Sequence, residues 1–222
     1  ELVSGHARIA GPHAVAVKPP NGADIRTLTA DFFVIATGSR PNRPDDVPFD
    51  GETVFDSGTI LQLPRLPKTM TVLGAGVVGI EYASIFAALG IAVTLVDTRD
   101  RLLPYLDREI VDVLVVELGR LGVKVVHSER YARVERTPGN PPRVACTTHA
   151  GRRLDSDVLL YCVGRDGNTN DVGLGTLGIT PGKYGLLEVN EHYQTVHPHI
   201  YAVGDVIGYP ALASTSMEQG RA

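Results

Sequence analysis

The run TVLGAGVVGIEYASIFAALGIAVTLVD, Thr71 to Asp97, constrains the fold of this chain more than any other stretch. Met70 to Leu73 is a short apolar segment suited to a buried parallel strand. Gly74, Gly76 and Gly79 follow in G-x-G-x-x-G spacing, after which Val78, Tyr82, Ile85, Phe86 and Leu89 recur at helical intervals. Gly90 closes that helix, and Ala92 to Val96 makes a second, β-branched strand ending on Asp97. Strand, tight turn, amphipathic helix and strand in this order form a βαβ unit.

Each glycine of the turn answers a physical need. Gly74 permits the turn, Gly76 lets the backbone approach a pyrophosphate, and Gly79 lets the helix pack closely on the sheet. The helix N-terminus adds free N–H groups and a partial positive charge. Asp97 can accept hydrogen bonds from both hydroxyls of an adenosine ribose. The motif alone is weak evidence, since glycine turns also serve purely structural ends. With its strand, helix and acid in place it reads as a dinucleotide site. Asp97 favours NAD, because a carboxylate repels a 2′-phosphate, whereas Arg99 and Arg101 just after it offer guanidinium groups that can pair with one. The alternative for both arginines is a solvated loop charge balancing Asp97, Asp100 and Asp107.

Composition excludes several classes. A hydrophobic fraction of 43%, a charged fraction of 21% and a net charge of −4 describe an ordinary globular protein with no electrostatic case for nucleic acid or an anionic membrane. No apolar run approaches membrane-spanning length. Cys146 and Cys162 are too far apart for a C-x-x-C motif and sit in apolar, strand-like stretches, so buried free thiols in a reducing, cytoplasmic setting are expected. The seven histidines lack metal-ligand spacing, and no metal site is expected. The chain opens at Glu1 without a methionine and closes inside an apparent helix, SMEQGRA, so a piece of a longer protein is expected.

Three regions differ in texture. Residues 1 to about 40 read as short strands, HARIAG, AVAVKP and IRTLTA, followed by the buried run DFFVIATG, with Asn21-Gly22 as a turn. A linker rich in Pro, Asp and Gly runs from Ser39 to about Pro67. From Lys68 to Gly164 strands alternate with helices, the second helix covering about Asp107 to Leu121 and the next strand reading VKVVHS. ERYARVERT, RVACTTHA and DSDVLLYCVG add an antiparallel insertion. The expected fold class is α/β: a doubly wound nucleotide-binding domain inserted into a partial second domain of three-layer β/β/α type. Its expected boundaries are 1–66, 67–166 and 167–222.

The flanks carry a resemblance. FFVIATGSRP (32–41) and HIYAVGDVIGYPALASTSMEQGRA (199–222) resemble the FAD domain of the pyridine nucleotide–disulfide oxidoreductases, a family that inserts an NAD(P) domain into an FAD domain. A-T-G-S-x-P, G-x-G-x-x-G-x-E and Y-A-x-G-D are jointly specific, and the likeness spans essentially the whole chain. Within the family, TRDRLLPYLD and RDGNT resemble members that pass hydride from NADPH through FAD to NAD⁺, one nucleotide site serving both in turn. The resemblance implies FAD, NAD and NADP as cofactors, NADH and NADPH as substrates, and a parent protein that forms a homo-oligomer.

The same resemblance distributes roles. Gly74, Ala75, Gly76, Val77, Val78 and Gly79 would hold the NAD(P) pyrophosphate, and Asp97 the adenosine ribose. Glu81 would stand beside nicotinamide and flavin, although a glutamate near a helix start is also an ordinary surface residue. The backbones of Tyr131 and Gly164 would lie near the adenine and the nicotinamide half. On the FAD side, Ala7 would meet the adenine, Thr37, Gly38 and Ser39 would form the turn beside the cofactor, and Asp205 would accept from a ribitol hydroxyl. Ala211, Leu212, Ala213 and Ser214 would open a helix whose amides face the flavin pyrimidine ring. The family's first glycine-rich FAD strand, its redox cysteine segment and its C-terminal domain have no counterpart in this sequence, and Cys146 and Cys162 do not match the redox pair. The chain alone is therefore expected to lack turnover, to bind FAD weakly or not at all, and to retain nucleotide binding. Two other readings stay open: a disulfide reductase of the dihydrolipoamide dehydrogenase kind, and an NAD(P)-binding module without chemistry.

Overall fold

The computed structural model describes residues 1–222. The chain begins with β1 (His6–Gly11), β2 (Ala14–Lys18), β3 (Arg26–Thr29), β4 (Phe33–Ile35), β5 (Ser39–Pro41) and β6 (Val54–Asp56). Then come β7 (Thr69–Leu73), α1 (Val77–Ala88), β8 (Ala92–Val96), α2 (Arg108–Arg120) and β9 (Lys124–Val126). β10 (Tyr131–Thr137), β11 (Arg143–Thr148), β12 (Arg153–Ser156), β13 (Val158–Tyr161), β14 (Arg165–Gly167), β15 (Ile200–Ala202) and α3 (Ala213–Gln219) complete the order. Two compact units result: a central one, Pro41–Gly164, and a flanking one made of Glu1–Arg40 with Arg165–Ala222.

The central unit is built on a five-stranded parallel sheet in the order β6-β13-β7-β8-β9. Side chains alternate along each strand, so Met70 and Val72 of β7, Val93 and Leu95 of β8, and Val158 and Leu160 of β13 point to one face. Ile80, Ala83, Phe86 and Ala87 of α1 cover that face together with Val111 and Leu118 of α2. Leu73, Val96, Leu159 and Tyr161 point the other way, against Val134, Val144 and Cys146 of the antiparallel meander β10-β11-β12. Burial on both faces is why these strands read as unbroken apolar runs. The layers are helices, parallel sheet and meander, so the antiparallel insertion takes the face where a doubly wound domain would place further helices.

Two sequence expectations need correction in this unit. The buried stripe of α1 is Gly79, Ile80, Ala83, Phe86 and Ala87, whereas Ile85 and Leu89, expected inside, are 54% and 56% exposed. Gly79 abuts the glycine turn, and Ala83 and Ala87 extend that small-residue stripe by successive i+4 steps, so backbone proximity sets the helix rotation rather than side-chain size. The segment 41–66, expected to stand with the first 40 residues as a linker, belongs to the central unit. β6 is the edge strand of its sheet, and two aspartates order the turns around it. Asp50 accepts from the amides of Glu52, Thr53 and Val54, and Asp56 from those of Gly58 and Thr59. The unit accordingly runs 41–164 where the sequence suggested 67–166.

In the flanking unit β1, β2 and β3 form an antiparallel meander, with the Asn21-Gly22 turn between β2 and β3 and Gly22 at φ +75. β4 pairs parallel with β15, and β5 forms a two-stranded sheet with β14. Ile9, Ile35, Leu174, Leu177, Leu187, Ile200, Ala202 and Val206 make the core. The run DFFVIATG, expected to be buried throughout, is buried on one side only: Ile35 is inside, while Phe32 and Val34 are 64% and 62% exposed. The β4–β15 pair is packed on a single face, and alternation sends every second side chain to solvent.

Candidate functional site

At the C-terminal ends of β7, β8 and β13 the central unit opens a cleft of about 320 Å³. Gly74, Gly76, Asp97, Arg99, Tyr131 and Gly164 line it, together with Arg130 and Cys162. The ends of parallel strands are where α/β sheets bind ligands, because the strand-to-helix turns diverge there.

The glycine turn meets the geometric demands of a pyrophosphate cradle. Gly74 sits at φ +95, and a Cβ on it would come within 2.8 Å of the Cys162 carbonyl oxygen. A Cβ on Gly79 would fall 1.9 Å from the Gly74 carbonyl oxygen, so α1 can start this close to the turn only with glycine there. Around Gly76 the opposite holds: nothing lies within 4 Å of its Cβ direction, and it faces the cleft. Two glycines close the turn internally and one leaves it open outward. The residues present fit a dinucleotide phosphate.

Asp97 is buried and saturated with hydrogen bonds. Its Oδ2 accepts from the Ala75 amide at 2.6 Å and from Arg99 Nη2 at 2.8 Å, while Oδ1 accepts from Arg99 N and Nε, both at 2.8 Å. Burial alone would push this carboxyl up; the Arg99 side chain and the two amides outweigh it and hold the group below its ordinary value. The fork–fork pair makes Arg99 the internal partner of the acid two residues before it, so that its charge balances Asp97.

The loop after β9 completes the wall. Ser128 N donates to Arg99 O and Glu129 N to Asp97 O, both at 3.0 Å, and His149 N donates to Arg130 O at 2.9 Å. Glu129 is balanced by Arg152 at 2.6 Å. The Tyr131 ring packs edge-on against Tyr161, and its hydroxyl donates to Asp46 at 3.2 Å. Sequence reading missed Glu129, Arg130 and Arg152; the position of ER at the carboxyl end of a parallel strand was the available signal.

Other expected residues fall outside the cleft. Val77 and Glu81 are exposed on α1, Val78 is half-buried beside them, and Ala75 lies beneath the floor, where its amide holds Asp97. Cys162 reaches the cleft wall, but burial pushes its thiol up to about 12 and that of Cys146 to about 11. Neither is poised as a thiolate.

In the flanking unit Thr37, Gly38, Ser39 and Asp205 come together. Ser39 Oγ donates to Asp205 Oδ2 at 2.8 Å and accepts from Arg165 Nε at 2.8 Å. Asn168 Nδ2 donates to Thr37 O at 2.9 Å, and Asn168 N to Gly38 O at 2.9 Å. Arg165 and Asn168 are the residues that RDGNT contributes and that sequence reading left without a role. A Cβ on Gly38, at φ +70, would meet nothing within 4 Å, so this turn too presents open backbone. Ala211, Leu212, Ala213 and Ser214 are exposed at the start of α3, whose Gln219 side chain accepts from Gly204 N, next to Asp205. Ala7 is exposed on the edge strand β1, and no hydrogen bond links it to the Ser39–Asp205 cluster.

Comparison with known proteins places this geometry. Residues 2–220 match the pyridine nucleotide-disulphide oxidoreductase family. Soluble pyridine nucleotide transhydrogenase of Enterobacter sp. (strain 638) is 46% identical over 221 residues, which is 100% of this chain and 47% of that protein. The protein of the same name from Chromohalobacter salexigens is 47% identical over 220 residues, 99% of this chain and 47% of its own length. Among solved structures, LpdA from Mycobacterium tuberculosis superimposes with a TM-score of 0.90 at 30% identity, covering 100% of this chain and 49% of that one. The HOCl-induced flavoprotein disulfide reductase RclA from Escherichia coli gives 0.86 at 28%, with the same coverage. The chain belongs to the pyridine nucleotide-disulphide oxidoreductase family, and it spans about half the length of the curated relatives it matches.

Proposed function

We propose that the chain forms the nicotinamide-nucleotide site, and part of the flavin site, of a cytoplasmic protein that moves hydride between NADPH and NAD⁺. The observation that carries this reading is the glycine turn, closed by Gly74 and Gly79 and open at Gly76 onto a cleft that ends at Asp97. The curated relatives named as transhydrogenases support the choice of reaction. The thiols of Cys146 and Cys162, both pushed up by burial, speak against a disulfide reductase that would use this pair.

In this reading the amides of the turn and of the first residues of α1 take the pyrophosphate. Asp97 and Arg99 face the adenosine ribose, the Tyr131 backbone the adenine, and Gly164 the nicotinamide half. Glu81 stands on the exposed face of α1 as the carboxylate that would orient the nicotinamide. Ser39 and Asp205 would hold the ribitol chain, with Thr37 and Gly38 offering backbone, Ala7 meeting the adenine of FAD, and Ala211 to Ser214 directing amides at the flavin. The flavin supplies hydride acceptance from one nucleotide and donation to the next. The protein's part is to bind each nucleotide in turn and to exclude water.

A second reading has its own support. The exposed face of the β4–β15 pair favours a chain in which the central unit binds nucleotide while the flanking unit binds no flavin. Titration of the chain with NADH, followed by dihydronicotinamide fluorescence, tests the nucleotide site; no binding would refute it. Visible absorbance with and without added FAD separates the two readings. A shifted flavin spectrum supports the first, and an unchanged one the second.

A further inference from the structure

The nucleotide reading leaves open how one cleft accepts both a 2′-hydroxyl and a 2′-phosphate beside a carboxylate. Asp97 stands at the end of β8, where an acid normally repels a 2′-phosphate. Here both of its oxygens are taken by the Arg99 guanidinium, by Arg99 N and by Ala75 N. The charge that would discriminate against NADPH is neutralised inside the protein. Glu129, the other acid on the cleft wall, is paired with Arg152 through its Oε1 alone, and its Oε2 has no hydrogen-bond partner.

Arg130 differs from every other charged group there. It lines the cleft, it is exposed, and it forms no ion pair with any carboxylate. Asp46, engaged by the Tyr131 hydroxyl, lies beyond ion-pair distance of it. Its backbone is held from two sides. The preceding residues Ser128 and Glu129 donate to the carbonyls of Arg99 and Asp97, and its own carbonyl accepts from His149. Ser128 adopts φ +56, a left-handed conformation that a serine takes only where its surroundings impose it. The loop is therefore a built wall that places a free guanidinium next to the strand end where an adenosine ribose would sit.

We infer that Arg130 is the specificity-determining residue for a 2′-phosphate, and that Arg99, by locking Asp97, is the positioning residue that lets NADPH and NADH share the cleft. This rests on the nucleotide site proposed above. A guanidinium suits a phosphate dianion because it donates in a planar fork, whereas the ribose of NADH offers it only neutral hydroxyls.

Fluorescence titration of the full chain with NADPH and with NADH tests the assignment. Loss of one charge-assisted contact in Arg130→Ala should lower the NADPH-to-NADH affinity ratio by about tenfold. Arg130→Lys should restore part of that ratio, since the charge returns without the fork. Arg99→Ala should shift the ratio the same way, by unmasking Asp97, and Arg99→Ala/Asp97→Asn should recover it. Circular dichroism of each variant confirms that the fold is kept. An unchanged ratio in Arg130→Ala, or a wild-type chain that binds NADH and not NADPH, overturns this inference while leaving the nucleotide site standing. Binding of neither nucleotide overturns both.

Discussion

The two units solve the problem of covering a parallel sheet differently. In the central unit β7, β8 and β13 are sandwiched between helices and a meander, and their inward side chains, among them Val72, Leu95, Leu159 and Leu160, are fully enclosed. In the flanking unit the parallel pair β4–β15 buries Ile35, Ile200 and Ala202 on one side and leaves Phe32 and Val34 to solvent on the other. A parallel pair carries no polar face of its own, so a single covered side is an incomplete solution. Both units nevertheless present a glycine-centred turn beside an aspartate: Gly74–Gly79 with Asp97, and Gly38 with Asp205. The comparison teaches that site geometry and core completeness are separable, since both turns are formed and only one core is closed.

The sharpest way to break the comparison is inside the central turn. Gly79→Ala would set a methyl 1.9 Å from the Gly74 carbonyl, which should cost the central unit about 3 kcal/mol or more and abolish NADH binding. Gly76→Ala meets no atom within 4 Å, so its melting temperature should stay near the wild type while nucleotide affinity drops. Thermal melts paired with NADH titration distinguish the two; equal melting temperatures for both variants would refute the assigned roles.

Next in size is core truncation. Leu160→Ala in the enclosed sheet should cost about 3 kcal/mol by urea unfolding, whereas Val34→Ala on the open face should stay within about 0.5 kcal/mol. Comparable losses would mean that the β4 face is covered in solution. Hydrogen exchange reads the same contrast without mutation. Amides of Val72 and Leu95 should exchange roughly a hundredfold more slowly than those of β4 and β15. Equal protection in the two units would remove the difference argued from their cores.

The smallest expected effect is in acid. Burial raises the carboxyls of Asp50, Asp56, Asp97 and Asp157, but amide hydrogen bonds and, for Asp56, Asp97 and Asp157, the neighbouring arginines leave each below its ordinary value. A carboxyl lowered in the folded state contributes stability that is complete above its unfolded pKa and is lost as pH falls through the folded one. All four lie in the central unit, so its melting temperature should hold down to about pH 4 and decline below it. A flat profile between about pH 4 and pH 2 would show that these bonds persist in the unfolded chain.

What the sequence by itself determined is the part governed by local rules. A strand, a G-x-G-x-x-G turn, a helix ended by Gly90 and a strand ended by Asp97 are read within a window of 27 residues, and each appears where periodicity and glycine spacing put it. The Asp107 start of α2 and the Asn21-Gly22 turn were legible for the same reason. Tertiary structure alone decided the rest. The rotation of α1 came from the contact of Gly79 with Gly74, which outweighs the larger side chains at Ile85 and Leu89. The segment 41–66 joined the central unit because β6 found the edge at β13, a partner about a hundred residues away that no local pattern announces. Asp97 was visible in the sequence, but its closure by Arg99, and the unpaired state of Arg130, follow from two loops meeting at strand ends. Local chemistry selects which elements form; which charges remain unpaired is settled only when those elements share a site.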